Sequence, residues 1–188
     1  PELLSVMHQG NHSLLEDCQL VYVFVAGGNS TGPTERLVSD VSNPMTLPPS
    51  SATNETDIVL LNIKENMNEG KSQTFFKFAT DIVDEKLYFD YMAKVDSDTL
   101  VFPDKLARFF STLPRFPNNI RVYGGVPIIK KMDHELIGPA YQQGAFYWMS
   151  VDLARFITSE DCDREKFLAH AEDKDIGNFV HSHPLPIQ

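Results

Sequence analysis

Two aspartates two positions apart, Asp96 and Asp98, end an apolar run in "YMAKVDSDTLVFPDKL" (91–106). Carboxylates at i and i+2 across a turn can converge on one hard cation, and a divalent ion held this way keeps coordination positions for phosphate oxygens and water. The same three residues also read as an Asx-type turn, with Asp96 and Ser97 satisfying local amides and Asp98 opening the next helix. A second acidic group, Glu172, Asp173 and Asp175 in "EDKDIGNFVHSHP", falls at a predicted helix N-terminus. The helix dipole favours carboxylates there without any function, so this group matters chemically only where one of its members faces the D-x-D pair.

Two glycine-bearing stretches complete the set of candidate chemistry, "YGGVPI" (123–128) and "YQQGAFYWMSVDLARFI" (141–157). A glycine pair lets backbone approach a ligand closely and serves a bulge equally well. Trp148 and the neighbouring tyrosines offer faces for a sugar, and aromatics on such a strand also fill a core.

These residues need elements to hold them. "QLVYVFVAG" (19–27) reads as a buried strand ending in a glycine turn, and "DIVLLNI" (57–63) as a second strand. A Pro/Ser/Thr/Asn-rich stretch over 29–56 between them reads as a long surface loop. Phe75, Ala79, Ile82 and Val83 recur at helical spacing over 69–86, and "FDYMAKV" (89–95) is a third strand. Pro103 suits a first helical turn, with Leu106, Phe109, Phe110 and Leu113 forming the apolar stripe of a helix packed on a sheet. "RVYGGVPI" and "GAFYWMSV" are further strands, and Ser150 is placed to cap a helix burying Leu153, Phe156 and Ile157. A last helix starts near Glu172 and buries Ile176, Phe179 and Val180. The order β, β, α, β, α, β, β, α, α predicts an α/β layer fold with a mixed central sheet flanked by helices. The D-x-D pair then sits at the C-terminal end of a strand, the edge where open α/β sheets collect ligands.

Composition narrows the function classes. The 188 residues are 42% hydrophobic and 11% aromatic, enough for one sizeable core and a single domain over 1–188. A net charge of -10, without a Lys/Arg run to track phosphates, predicts no nucleic-acid partner. The longest apolar run, "LVYVFVAGG", is far short of the roughly 18 residues of a membrane span. Sequons at Asn11, Asn29 and Asn54 point to the secretory lumen. Cys18 and Cys162 permit one disulfide or two buried thiols. The chain opens on Pro1, and the expectation is a fragment whose targeting or anchor segment lies outside it.

In this order and spacing, "DIVLLNIKENMNEGKSQTFFKFA", "YMAKVDSDTLVFPDKL", "VYGGVPI", "YQQGAFYWMSVDLARFI" and "EDKDIGNFV" resemble the β-1,3-galactosyltransferase-like enzymes of glycosyltransferase family 31. The likeness runs from Asp57 to His183. It implies a GT-A-like domain and a metal-dependent inverting transferase moving galactose or N-acetylglucosamine from a UDP-sugar to a glycan or glycoprotein acceptor in β-1,3 linkage. It also implies a Golgi or other secretory-lumen location as a type II protein, with membrane attachment only through a segment outside this chain.

"KVDSD" matches the family's Lys-x-Asp-Asp-Asp, which implies Asp96 and Asp98 as the Mn²⁺ or other divalent-cation site, Asp98 as the direct ligand and Lys94 among the substrate-binding residues. Ser97 stands where the family has its middle aspartate. "QGAFY" implies Gly144 beside the sugars, and "EDK" implies Asp173 as the catalytic base with Glu172 beside it, Lys174 replacing the usual apolar residue. The family's Arg/Trp-containing segment before the first strand has no counterpart in "PELLSVMHQGNHSLLEDC", so part of the nucleotide-binding segment is expected to be missing. For the family's late histidine ligand the candidates are His183 and His181, which read equally as exposed histidines after a helix. Two other functions stay open, a non-catalytic glycan- or protein-binding member of the fold, and a metal-dependent hydrolase using Asp96, Asp98 and the "HSH" histidines.

Overall fold

"IVLL" has no polar position along its length, so a strand made of it must be covered on both faces. In the computed structural model, which describes residues 20–28, 58–65, 70–85, 89–129, 131–132, 135–136, 138–167 and 171–188, this segment is β2 (Ile58–Leu61). It pairs in parallel with β1 (Phe24–Gly27), Phe24 opposite Ile58 and Gly27 opposite Leu61. Val59, Leu61 and Ile63 form one buried cluster, covered by Phe75 and Phe78 of α1 (Lys71–Glu85). β1 is shorter and more exposed than the predicted buried strand: its pairing begins at Phe24, and Tyr22 and Phe24 lie open on its outer side.

β3 (Tyr91–Val95), β4 (Tyr123–Ile128) and β7 (Tyr141–Ser150) form an antiparallel sheet in the order β3-β7-β4. Between β4 and β7, β5 (Lys131–Met132) and β6 (Glu135–Leu136) make a short hairpin that the residue pattern did not predict. α2 (Pro103–Ser111) follows β3, while α3 (Val151–Thr158), the single-turn α4 (Arg164–Phe167) and α5 (Glu172–His181) follow β7. The larger core joins Phe76 of α1, Met92, Tyr123, Tyr147 and Met149 of the sheet, Leu153 and Ile157 of α3, and Ile176, Phe179 and Val180 of α5. Phe75 packs against both clusters, so α1 ties the parallel pair to the antiparallel sheet. The mixed character of this α/β fold is carried, among the described residues, by a parallel pair and separate antiparallel sheets rather than one continuous sheet.

Two local expectations are corrected. Ser150 stands at the N-cap of α3, yet its hydroxyl accepts from the Val122 N–H at 3.0 Å instead of capping the helix, because the end of β7 lies beside the entry to β4. α2 covers its sheet only loosely, with Phe109 and Phe110 edge-on to Trp148 and no helix residue fully buried.

Candidate functional site

The C-terminal end of β3 sets the first half of the site. Val95 pairs with Phe146 of β7, and the Asp96 N–H continues that ladder to the Ala145 carbonyl at 3.0 Å. The Asp96 carbonyl then accepts from the Thr99 N–H at 3.0 Å, closing a turn with Ser97 and Asp98 exposed at its corners. Since the backbone closes this turn, the Asp96 carboxylate is not consumed by local amides. It accepts instead from the Lys94 ammonium, which also donates to the Gly144 carbonyl at 2.7 Å and lies 5.8 Å from the Tyr147 ring centroid.

α5 supplies the other half. Gly177 lets this helix settle directly on Tyr141: a methyl there would meet the Tyr141 Cβ at 2.3 Å. That contact carries the helix N-terminus to Gly144. A methyl on Gly144 would stand 3.7 Å from both Asp173 Oδ2 and Lys94 Nζ, so the carboxylate and the ammonium flank one point above β7. The other Asp173 oxygen accepts from the Lys174 N–H at 2.8 Å. Asp175 is directed away and buried, as residues on opposite sides of a helical turn must be.

Glu172 is a joint rather than an open ligand. It accepts a hydrogen bond from Ser72 at the start of α1, across 100 residues of sequence. Burial pushes its carboxyl above the ordinary range; Lys94 and Lys71 oppose this, while Asp96 and Asp173 add to it. Beneath lie two tyrosines kept neutral. Tyr147 is wholly buried, and its hydroxyl is raised by that burial and by the charge of Glu172; the nearby Ser72 hydroxyl opposes the shift, although it is Glu172 to which Ser72 donates. Burial likewise raises Tyr123 above the usual phenol range, against the Gln142 N–H donated to its oxygen at 3.3 Å and with Asp173 adding to the rise.

Residue-by-residue reading missed the contribution of the parallel pair. Glu65 accepts from the Gly27 N–H and from the Lys71 ammonium, each at 2.5 Å, fastening the ends of β1 and β2 to the start of α1. Burial alone would raise its carboxyl, but Lys71 and the Gly27 N–H hold it below the usual value. Lys71 and Ser72 open a helix just past a strand end, and that position was the signal available for them.

Lys94, Asp96, Gly144, Glu172 and Asp173 thus come together from three elements, with Asp98 on the exposed turn beside them. His183 does not join them. Asp173 lies in the first turn of α5 and His183 beyond its end, with most of the ten-residue helix, at about 1.5 Å rise per residue, between them. Its Nδ1 accepts from the Leu185 N–H at 3.0 Å and its ring packs on Phe156 at 4.6 Å; His181 lies against Tyr123. Trp148 is core, enclosed by Tyr91, Phe109 and Phe110, and Gly124 is small to admit its ring. Gly125 lies at the register shift of a bulge. The glycine pair therefore serves the sheet, and Trp148 is no sugar platform.

Among the described residues no three His, Cys, Asp or Glu side chains could hold a metal between them. Asp96 and Asp98 are hard oxygen donors at an open turn, a set that fits an ion shared with phosphate oxygens rather than one caged by protein alone. Cys162 is a buried free thiol, while Cys18 and the sequons at Asn11, Asn29 and Asn54 lie outside the described residues.

A family model described as galactosyltransferase matches residues 7–136, more than half of the chain. The match takes in Lys94, Asp96 and Asp98 and ends before Gly144, Glu172 and Asp173. No curated protein matches the chain.

Proposed function

Because the chain belongs to the galactosyltransferase family, a family of glycosyltransferases, we propose that it transfers galactose or N-acetylglucosamine from a UDP-sugar to a glycan acceptor with inversion, in β-1,3 linkage. The observation that carries this reading is that Lys94 and Asp173 flank one space above Gly144, beside the turn that bears Asp96 and Asp98. Asp96 and Asp98 would hold Mn²⁺ or a similar ion, which when bound supplies the positive charge that makes a diphosphate a competent leaving group. Asp173 is the base. It stands in the first turn of α5, and its Oδ2 faces the space above Gly144. As the acceptor oxygen bonds to the anomeric carbon and the bond to the departing phosphate oxygen breaks, the acceptor proton passes to Asp173. Lys94 and Gly144 line the same space, while Glu172 acts through its hold on Ser72.

The domain reading extends to 1–188 as one unit, supported by Phe75 packing on both cores. We place the protein in the Golgi or another secretory lumen, on the strength of its family and its three sequons. We assign any type II anchor to a segment outside this chain; among the described residues no helix is long and apolar enough to cross a membrane.

The test is UDP release from UDP-galactose and UDP-N-acetylglucosamine, with and without Mn²⁺. Wild type should release UDP only with the metal. Asp173→Asn should lose about 10²–10⁴-fold in rate, the usual contribution of a general base, while keeping its affinity for Mn²⁺ and UDP. Near-normal transfer by Asp173→Asn would remove the base from the mechanism.

A further inference from the structure

Lys94 is held more firmly than a surface lysine needs to be. Pairing of β3 with β7 sets it opposite Tyr147. Its ammonium spends one N–H on the Gly144 carbonyl at 2.7 Å and one on the Asp96 carboxylate, and its side chain is only 21% exposed. An ammonium has three donors, so one remains. Asp96 is therefore a carboxylate that already holds an ammonium, whereas Asp98 stands exposed two residues on and has no ion pair among the described residues.

A divalent ion arriving alone would meet one uncommitted carboxylate with a positive charge close by. Hard cations of this kind need about six oxygens, and a single exposed aspartate is a poor start. A diphosphate changes both terms, because it brings oxygens for the ion and a negative charge that can take over the ammonium. Lysine suits such an exchange, being a compact charge on a flexible stem.

From this we infer that Lys94 is an internal stand-in for the divalent cation: by holding Asp96 it makes metal binding at the Asp96–Asp98 turn conditional on a diphosphate. The inference rests on the metal and donor reading above and adds an order to it, in which the ion and the nucleotide bind together. The plain alternative is a salt bridge that merely fastens β3 to β7. That alternative gives Lys94 no part in metal affinity.

Calorimetry of Mn²⁺ binding with and without UDP separates the two. Wild type should bind Mn²⁺ weakly alone and much more tightly with UDP. Lys94→Met should bind Mn²⁺ alone about five- to tenfold more tightly than wild type, a size set by loss of a half-exposed ion pair and of a neighbouring positive charge. It should also show correspondingly less strengthening by UDP. Lys94→Arg keeps the charge and should stay weak for Mn²⁺ alone. If Lys94→Met binds Mn²⁺ alone no more tightly than wild type, the inference is overturned. Should Lys94→Met fail to fold, wild type still decides the matter, since equal Mn²⁺ affinity with and without UDP would overturn the inference too. Asp98→Asn tests the underlying reading separately. Intact UDP-dependent Mn²⁺ binding there would remove the metal site itself, whereas its loss alongside an unchanged Lys94→Met would remove only the role given to Lys94.

Discussion

At Glu172 burial and two lysines pull in opposite directions, and burial wins. The sign of the consequence follows from linkage. A carboxyl raised in the folded state is protonated in both states well below its ordinary value, so it costs nothing there. As pH climbs from about 4.5 through the raised value, the unfolded chain ionises more readily than the folded one, and stability is lost. Glu172→Gln can still accept from Ser72 but has no charge to bury. It should therefore melt higher than wild type at pH 7, with the gap closing as pH falls toward 4.5. A gap independent of pH in thermal melts would mean that Glu172 is not ionising where burial opposes it. Asp173, one residue on, faces the opening instead, and adjacent carboxylates thus have different work because the helix turns about 100° between them.

At the scale of elements, the sheet beneath the site is built around an aromatic stack. Trp148 stands edge-on to Tyr91, Phe109 and Phe110 at 5.4 to 5.7 Å, which is what attaches α2 to the sheet. Gly124 opposite makes the stack possible, since a methyl there would come within 2.2 Å of Trp148 Cζ2. Gly124→Ala should destabilise the fold by about 1–3 kcal/mol, the usual cost of overpacking, because the buried ring can yield only by displacing α2. Urea unfolding followed by Trp148 fluorescence measures it, and an unchanged midpoint would show that α2 gives way freely. The periodicity of α2 was legible from Leu106, Phe109 and Phe110, but its shallow seating was not. Periodicity identifies an apolar face without saying how much partner surface lies beneath it.

Across the whole molecule, α1 is the member that joins both cores and meets the α5 half of the site. Its Phe75 reaches the two clusters, its Lys71 meets Glu65 from the parallel pair, and its Ser72 meets Glu172 from α5. The secretory reading is also a property of the whole chain. Expressed with a signal peptide in mammalian cells, the protein should carry N-glycans on Asn29 and Asn54, removable by glycosidase with a shift in mass for each. Secreted protein with neither site modified would count against passage through the endoplasmic reticulum.

The residues by themselves determined the class of the fold and where its two acidic groups emerge. Alternating β-branched and amphipathic segments can bury their apolar faces only as layered α and β elements, and aspartates that end an apolar run must emerge where the strand stops. They also fixed α5, because Ile176, Phe179 and Val180 can share one face only as a helix. Tertiary structure alone decided which distant groups share a space. Lys94 and Asp173 flank one space because Gly177 lets α5 lie against Tyr141, and Glu172 turns inward because Ser72 waits across 100 residues of sequence. His183 drops out for the same reason, as a ten-residue helix carries it away from the acids it follows in the chain. Spacing along a chain fixes which face of an element a residue occupies, but not which other face will lie against it.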